Sequence, residues 1–179
     1  MPMKRIKQCL LAASVLLVVV IGVSQFLPSS YHVERSVVVS AKPVAIYPWV
    51  AVLKKWPEWS PWTTAKDPTL VYRYEGPEEG VGAVSKWDSK KMGDGMMRLI
   101  QAESTKGVAF DLAFEKGKYL SVGRIAFEPS GEATRVVWSM DGKASSNPVD
   151  RLFGLVMDRM VGPDFEEGLA KLKLKAEAK

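Results

Sequence analysis

Residues 108–116 read VAFDLAFEK, and within them Val108, Phe110, Leu112 and Phe114 alternate with Ala109, Asp111, Ala113 and Glu115. A period of two is the signature of a strand with one greasy and one wet face, because successive side chains leave the backbone on opposite sides. The same alternation returns at Val136, Trp138 and Met140 in TRVVWSMDG, residues 134–142. A sheet with one apolar face needs a covering layer, so the rest of the chain has to supply one.

Outward from residue 108, strand-like runs arrive at short intervals. They are VERSVVVSA (33–41), LVYRYEG (70–76), AVSKWDS (83–89), GMMRLIQAES (95–104) and LSVGRIAFEP (120–129). The first places Val33, Val37, Val39 and Ala41 on one face. Turn signals GPEEGVG, KMGDG, STKG, EKGK and PSGEA separate the later runs, which predicts hairpin-connected antiparallel strands. Their glycines lack the Lys-Ser/Thr end of a phosphate-binding loop and the strand-to-helix context, so they read as turn residues.

The covering layer begins at Asn147. Asn147 can cap, Pro148 suits the first helical position, and Val149, Leu152, Phe153, Val156, Met157 and Met160 follow the three-four spacing of one apolar stripe. Gly162-Pro163 predicts a kink or restart, after which Phe165, Leu169 and Leu172 continue the helix. A shorter helix after Pro43 would carry Val44, Ile46, Tyr47, Val50 and Leu53, bent or delayed by Pro48. The fold class is therefore α+β, with a curved antiparallel sheet of about six or seven strands around a long C-terminal helix.

Between the short helix and the second strand lies LKKWPEWSPW, residues 53–62, which holds three of the six tryptophans. Trp56, Trp59 and Trp62 recur every third residue. They either form one rim of a pocket mouth or plug the end of the sheet as core. Trp56 and Trp59 could also rest at a bilayer interface, a position that suits tryptophan.

The N-terminus carries a different message. Cys9 to Leu27, CLLAASVLLVVVIGVSQFL, has no charge, and as a helix it would span about 28 Å, close to the hydrocarbon thickness of a bilayer. Lys4, Arg5 and Lys7 precede it and no basic residue follows until Arg35, so the positive-inside rule keeps the N-terminus cytoplasmic. A cleaved signal peptide is the rival reading, with Gly22-Val23-Ser24 as a small-x-small site. The division predicted is a basic cytoplasmic segment 1–8, a transmembrane anchor 9–27, a linker 28–32, a domain 33–175 and a tail 176–179. The five linker residues reach about 17 Å at most, so the domain sits close to the membrane, outside the cytoplasm and in the periplasm of a Gram-negative cell.

Composition narrows the function. The net charge is +5 over 179 residues, and the three basic residues ahead of the apolar run supply over half of it. The body is nearly balanced and has no other basic block, which argues against a nucleic-acid partner. One cysteine and one histidine, His32, exclude an intrachain disulfide, a thiolate metal cluster and the usual serine or cysteine triads. No metal and no cofactor are expected, and nothing in the sequence fixes an oligomeric state.

The element order, WPEWSPW after the first strand, GVGAVSKWDS opening a central hairpin, ATRVVWSMDG in the last strand and GPDFEEGLAKLK in the terminal helix resemble the SRPBCC superfamily. They are most similar to its polyketide cyclase/dehydrase-like branch, which shares the helix-grip fold of START lipid-transfer domains and pollen allergens. The resemblance spans residues 31 to 175. It implies a cavity between the concave sheet and the C-terminal helix for sterols, lipids, polyketides or other apolar molecules, and it supplies no catalytic set.

The pocket lining is expected from Trp59, Trp62, Trp87, Leu99, Phe110, Leu112, Trp138 and Met140, with Phe153, Met157 and Met160 as the helix wall. Methionines suit such a wall because they adapt to irregular volume. A core with no cavity would use the same residues. Asp88, Asp111, Arg124, Arg135 and Asp141, with Tyr72, Tyr74 and Arg98, are the candidates for acid-base chemistry. Asp111 falls opposite the greasy face, and Arg98 lies on a face left undecided. The function expected is a membrane-anchored binding domain for a hydrophobic small molecule or lipid, without covalent chemistry. The alternatives are a cyclase-like or hydrolase-like enzyme on an apolar substrate, with Arg98, Asp111 or a tyrosine as acid or base, and an envelope interaction or scaffold domain.

Overall fold

The computed structural model describes residues 7, 8, 10, 11, 22, 26–143 and 147–178. Most of the expected anchor, residues 9–27, lies outside the described residues. Among the described residues no helix is long and apolar enough to cross a membrane.

Seven strands form one sheet: β1 (Ser30–Val39), β2 (Val71–Glu75), β3 (Val84–Asp88), β4 (Gly95–Glu103), β5 (Gly107–Phe114), β6 (Tyr119–Ser130) and β7 (Ala133–Lys143). Helix α1 (Pro43–Ala51) and a 3₁₀ segment (Leu53–Glu58) follow β1, and helix α2 (Pro148–Glu177) closes the chain. The sheet order is β1-β7-β6-β5-β4-β3-β2, and every pair is antiparallel. Five consecutive hairpins join β2 to β7, and β1 pairs with β7 to complete the sheet. An extra residue between Leu99 and Gln101 breaks the β4–β5 register, leaving Ile100 exposed.

Alternation settles the two faces. Phe110 pairs with Leu99, Leu112 with Met97, Ile125 with Trp138, Met140 with Val33 and Trp87 with Tyr72, all on the inner face. Arg98 pairs with Asp111 on the outer face, where both are exposed.

The three tryptophans of residues 53–62 have a local reason to converge. In a 3₁₀ helix, with three residues per turn, side chains at i and i+3 eclipse. Trp56, and Trp59 just past the end of the segment, therefore come to one side, with ring centroids 4.8 Å apart and the rings tilted by 48°. Their indole N–H groups donate to the carbonyls of Val50 (3.0 Å) and Trp49 (2.9 Å), which the end of α1 would otherwise leave without intrahelical partners. Both rings also meet Trp138, at 5.9 and 5.3 Å, and Trp138 stacks on Phe165 of α2 at 4.2 Å with a 5° interplanar angle. Each such pair contributes about 0.5–1.5 kcal/mol beyond the area it buries. Trp56 and Trp59 are buried core, so the expectation that they rest at a bilayer interface is corrected: the α1 carbonyls draw their polar edges inward.

Two further expectations change. Of the kink or restart expected at Gly162-Pro163, the restart does not occur, since α2 runs from Pro148 to Glu177. A mid-helix proline costs about 3 kcal/mol, and burial of Phe165, Leu169 and Leu172, about 1.5–3 kcal/mol each, offsets it. The apolar stripe also does not face the sheet as a unit. Of its six members only Met157 packs against the core, while Val149, Leu152, Phe153, Val156 and Met160 are exposed.

An ion-pair clamp supplies the physical reason. Arg35 is on the inner face of edge strand β1, and its guanidinium donates to Asp158 Oδ1 (2.7 Å) and Oδ2 (3.2 Å) and to Glu166 Oε1 (2.6 Å). The bidentate fork fixes both rotation and distance. It lies so close to Gly162 that any Cβ there would collide with it. Helix α2 is thereby rolled towards β1, the strand it packs against most extensively.

Replacing Trp138 by Ala is expected to lower unfolding free energy by about 3–5 kcal/mol in a denaturant titration. Leu174→Ala, at an exposed site of α2, should change it by less than about 0.5 kcal/mol.

Candidate functional site

The concave face divides into a filled end and an uncovered end. At the filled end Trp56, Trp59, Phe110, Trp138 and Phe165 are buried against one another. Gly168 permits this approach, since a Cβ there would stand 2.8 Å from Trp138 Cζ3. Trp62 borders the cluster, 5.8 Å from Trp138 and 6.5 Å from Phe165, and is only partly buried.

At the other end the inner face carries Tyr31, Trp87, Leu112, Phe114 and Tyr119, all partly buried. The Tyr31 hydroxyl and Ser121 Oγ form a hydrogen bond here, at 2.8 Å, and the Tyr119 hydroxyl donates to Asp150 Oδ1 of α2 at 3.4 Å. The Tyr31 ring lies over Gly142, where a Cβ would collide with it. Above this end runs the first half of α2. At 3.6 residues per turn, Phe153 and Met160 sit within about 60° of Met157, on the side turned away from Asp158 and β1. They are 50% and 53% exposed, so the helix overhangs the sheet without sealing against it.

The expected lining residues therefore separate by depth. Trp59, Leu99, Phe110, Trp138 and Met140 are buried and form the floor. Trp62, Trp87, Leu112 and Met157 pack against that floor with part of their surface free. Phe153 and Met160 stay exposed on α2.

Inner-face ionisable groups are few. Arg35 is held by two carboxylates. Tyr72 donates to the Trp62 carbonyl at 3.0 Å, and burial, followed by the neighbouring Tyr74, pushes its hydroxyl up to about 12. It stays protonated at neutral pH. Asp88, Asp111, Arg98, Arg124, Arg135 and Asp141 are exposed and bring no carboxylate pair to the inner face. His32 bonds Asp141 at 2.8 Å on the outer face, which raises its pKa. Among the described residues no group of three or more His, Cys, Asp or Glu could hold a metal ion.

One polar feature escaped sequence reading. Asp67 is buried in the loop after Trp62, where it accepts from the Ser89 hydroxyl, from Thr69 Oγ1 (2.6 Å) and from the Thr69 N–H (2.9 Å). These bonds, led by Ser89, hold its carboxyl down to about 2. They tie the loop behind Trp62 to the turn between β3 and β4. An Asp-x-Thr spacing marks a local turn, but its partner lies 22 positions away.

Residues 30–177 match the model of the family described as polyketide cyclase / dehydrase and lipid transport. No curated protein matches the chain. Among solved structures it is similar to protein CV1439 from Chromobacterium violaceum, at 14% identity and TM-score 0.58, covering 86% of this chain and all of that one. It is similar to the di-domain ARO/CYC StfQ from the steffimycin biosynthetic pathway, at 13% identity and TM-score 0.62, covering 83% of this chain and 51% of that one. A Thalictrum norcoclaurine synthase point mutant also matches, at 14% identity and TM-score 0.57, over 83% of this chain and 97% of that one. At such identities the likeness concerns the fold, a helix-grip arrangement of seven antiparallel strands and a C-terminal helix.

The Asp67 tie predicts a pH effect. Its folded carboxyl lies below the unfolded value of about 3.9, so its stabilisation is complete above that value and is lost as pH falls towards 2. Thermal unfolding between pH 6 and about 2 should show a shallower acid loss for Asp67→Asn than for the native chain.

Proposed function

We propose, for a chain that belongs to the polyketide cyclase/dehydrase and lipid transport family, that it binds a hydrophobic small molecule or lipid at the uncovered end of its sheet, without covalent chemistry. The carrying observation is the set of apolar side chains left partly or fully free at this end of the fold: Trp87, Leu112 and Phe114 on the sheet, Met157, Phe153 and Met160 on α2. Burying such surface is favourable at about 25 cal/mol per Å², so an apolar ligand supplies what the protein's own core leaves unfilled. The Tyr31–Ser121 pair offers one polar contact that could orient it. Trp62 and Tyr72 would border the site from the filled end.

An enzymatic reading has less support. Arg98 and Asp111 lie on the outer face, and Tyr72 is pushed away from the range of a neutral-pH base. The di-domain ARO/CYC StfQ shares the fold, which does not carry its chemistry across.

In this proposal the apolar run 9–27 is an uncleaved single-pass anchor, with the N-terminus cytoplasmic and the domain outside. The first strand begins at Ser30, so the tether is short and holds the cleft close to a source of apolar ligands.

Native mass spectrometry of the chain released gently from membranes should show a bound apolar mass. Uptake of a fluorescent fatty-acid probe should weaken at least tenfold in Leu112→Arg, which puts a charge into the cleft, and little in Arg98→Ala on the outer face. An empty protein that also ignores the probe would sink the binding reading. For topology, alkaline phosphatase fused after Lys179 should be active, and an inactive fusion would reverse the orientation.

A further inference from the structure

The first half of α2 presents to solvent what a soluble helix normally hides. Val149, Leu152, Phe153, Leu155, Val156 and Met160 are 39% to 68% exposed. At 3.6 residues per turn Val149, Phe153, Val156 and Met160 occupy the side of the helix turned away from Gly162 and β1, Leu152 and the charged Arg159 flank that side, and Leu155 lies one heptad before Gly162. The only acids of this half, Asp150 and Asp158, are turned to the protein. Asp158 bonds Arg35, and Asp150 lies 3.4 Å from the Tyr119 hydroxyl. The outward side is thus apolar and cationic, the pattern of a helix that lies in a membrane interface.

The chain itself indicates what covers this side. Arg151, in the first turn of α2, donates from Nη1 to the carbonyl of Leu27 at 3.3 Å, and Leu27 is the last residue of the uncharged run 9–27. The point where the proposed anchor leaves the bilayer therefore touches the first turn of α2, the end of the helix at which the exposed apolar residues begin. Phe26, next to it, is exposed as well. From Val149 to Met160 the patch extends about 17 Å along the helix, all of it within reach of that exit point.

We infer that the outward side of α2 over Val149–Met160 docks into the interface of the bilayer that holds the anchor, with Arg159 directed to lipid phosphates. Docking turns the exposed Phe153 and Met160 towards the acyl chains, so the ligand is a membrane-resident lipid that enters without crossing water. The inference rests on the anchored reading above and deepens it.

The test uses the full chain with Cys9→Ser, reconstituted in vesicles of equal parts phosphatidylcholine and phosphatidylglycerol. Nitroxide labels are placed singly by Leu152→Cys, Val156→Cys, and, as exposed controls, Ala170→Cys on the second half of α2 and Ser36→Cys on the outer sheet face. Power saturation then compares collision with oxygen, which concentrates in the bilayer, against a water-soluble nickel chelate. Oxygen collision should exceed nickel collision several-fold at 152 and 156, with the reverse at 170 and 36. Nickel access at 152 and 156 equal to the controls would overturn the docking while leaving the anchor and the cleft standing. Protection from both reagents would overturn it too, since a second copy or residues 9–27 folded back would then be the cover. Release of the whole chain from the vesicles by alkaline carbonate would instead overturn the anchor, and the docking with it.

Discussion

The stacking of Trp138 on Phe165 is the contact through which sheet and helix become one body. Trp138 is the inner-face centre of β7, Phe165 the midpoint of α2, and Gly168 removes the one Cβ that would hold them apart. Around that stack the Trp56 and Trp59 rings close the end of the sheet, and their N–H groups are spent on the last carbonyls of α1. A buried indole needs both an apolar bed and a partner for its N–H, and this corner provides both. The dense aromatic run in residues 53–62 thus serves chiefly as a plug.

A plug at one end and a clamp along one edge leave the other end of the sheet short of cover. Arg35 holds Asp158 and Glu166, and this rolls α2 so that Met157 faces inward while Phe153 and Met160 turn outward. An ion pair with this exposure adds little net stability by itself, yet its bidentate geometry selects one orientation of the helix. That orientation leaves the apolar residues of the first half of α2 largely uncovered. The same rotation places the acids of the first half of α2 against the protein and most of its apolar residues outside, so both arrangements result from one constraint.

Much of the sheet was legible because period-two alternation and hairpin turns are local signals. VAFDLAFE assigned Phe110 and Leu112 to the inner face and Asp111 to the outer, and the register agrees. Helix α2 was legible from its cap, where Asn147 accepts the Val149 N–H at 2.9 Å. Its rotation was not. The three-four spacing of Val149, Leu152, Phe153, Val156, Met157 and Met160 identifies an apolar side without saying which way it turns, and the deciding partner, Arg35, is 123 positions from Asp158. The Asp67–Ser89 tie was hidden for the same reason.

By itself the sequence determined the α+β class, the strands, the faces of β5 and β7, the cap of the last helix, and the uncharged run ahead of the domain, since each depends on residues within a few positions of one another. The tertiary structure alone decided that five of the expected lining residues, Trp59, Leu99, Phe110, Trp138 and Met140, lie in buried core and that Phe153 and Met160 stand exposed. Which side of an amphipathic helix meets the sheet depends on long-range partners, here one arginine on an edge strand and a glycine that lets it approach. Such a pairing has no local period to read.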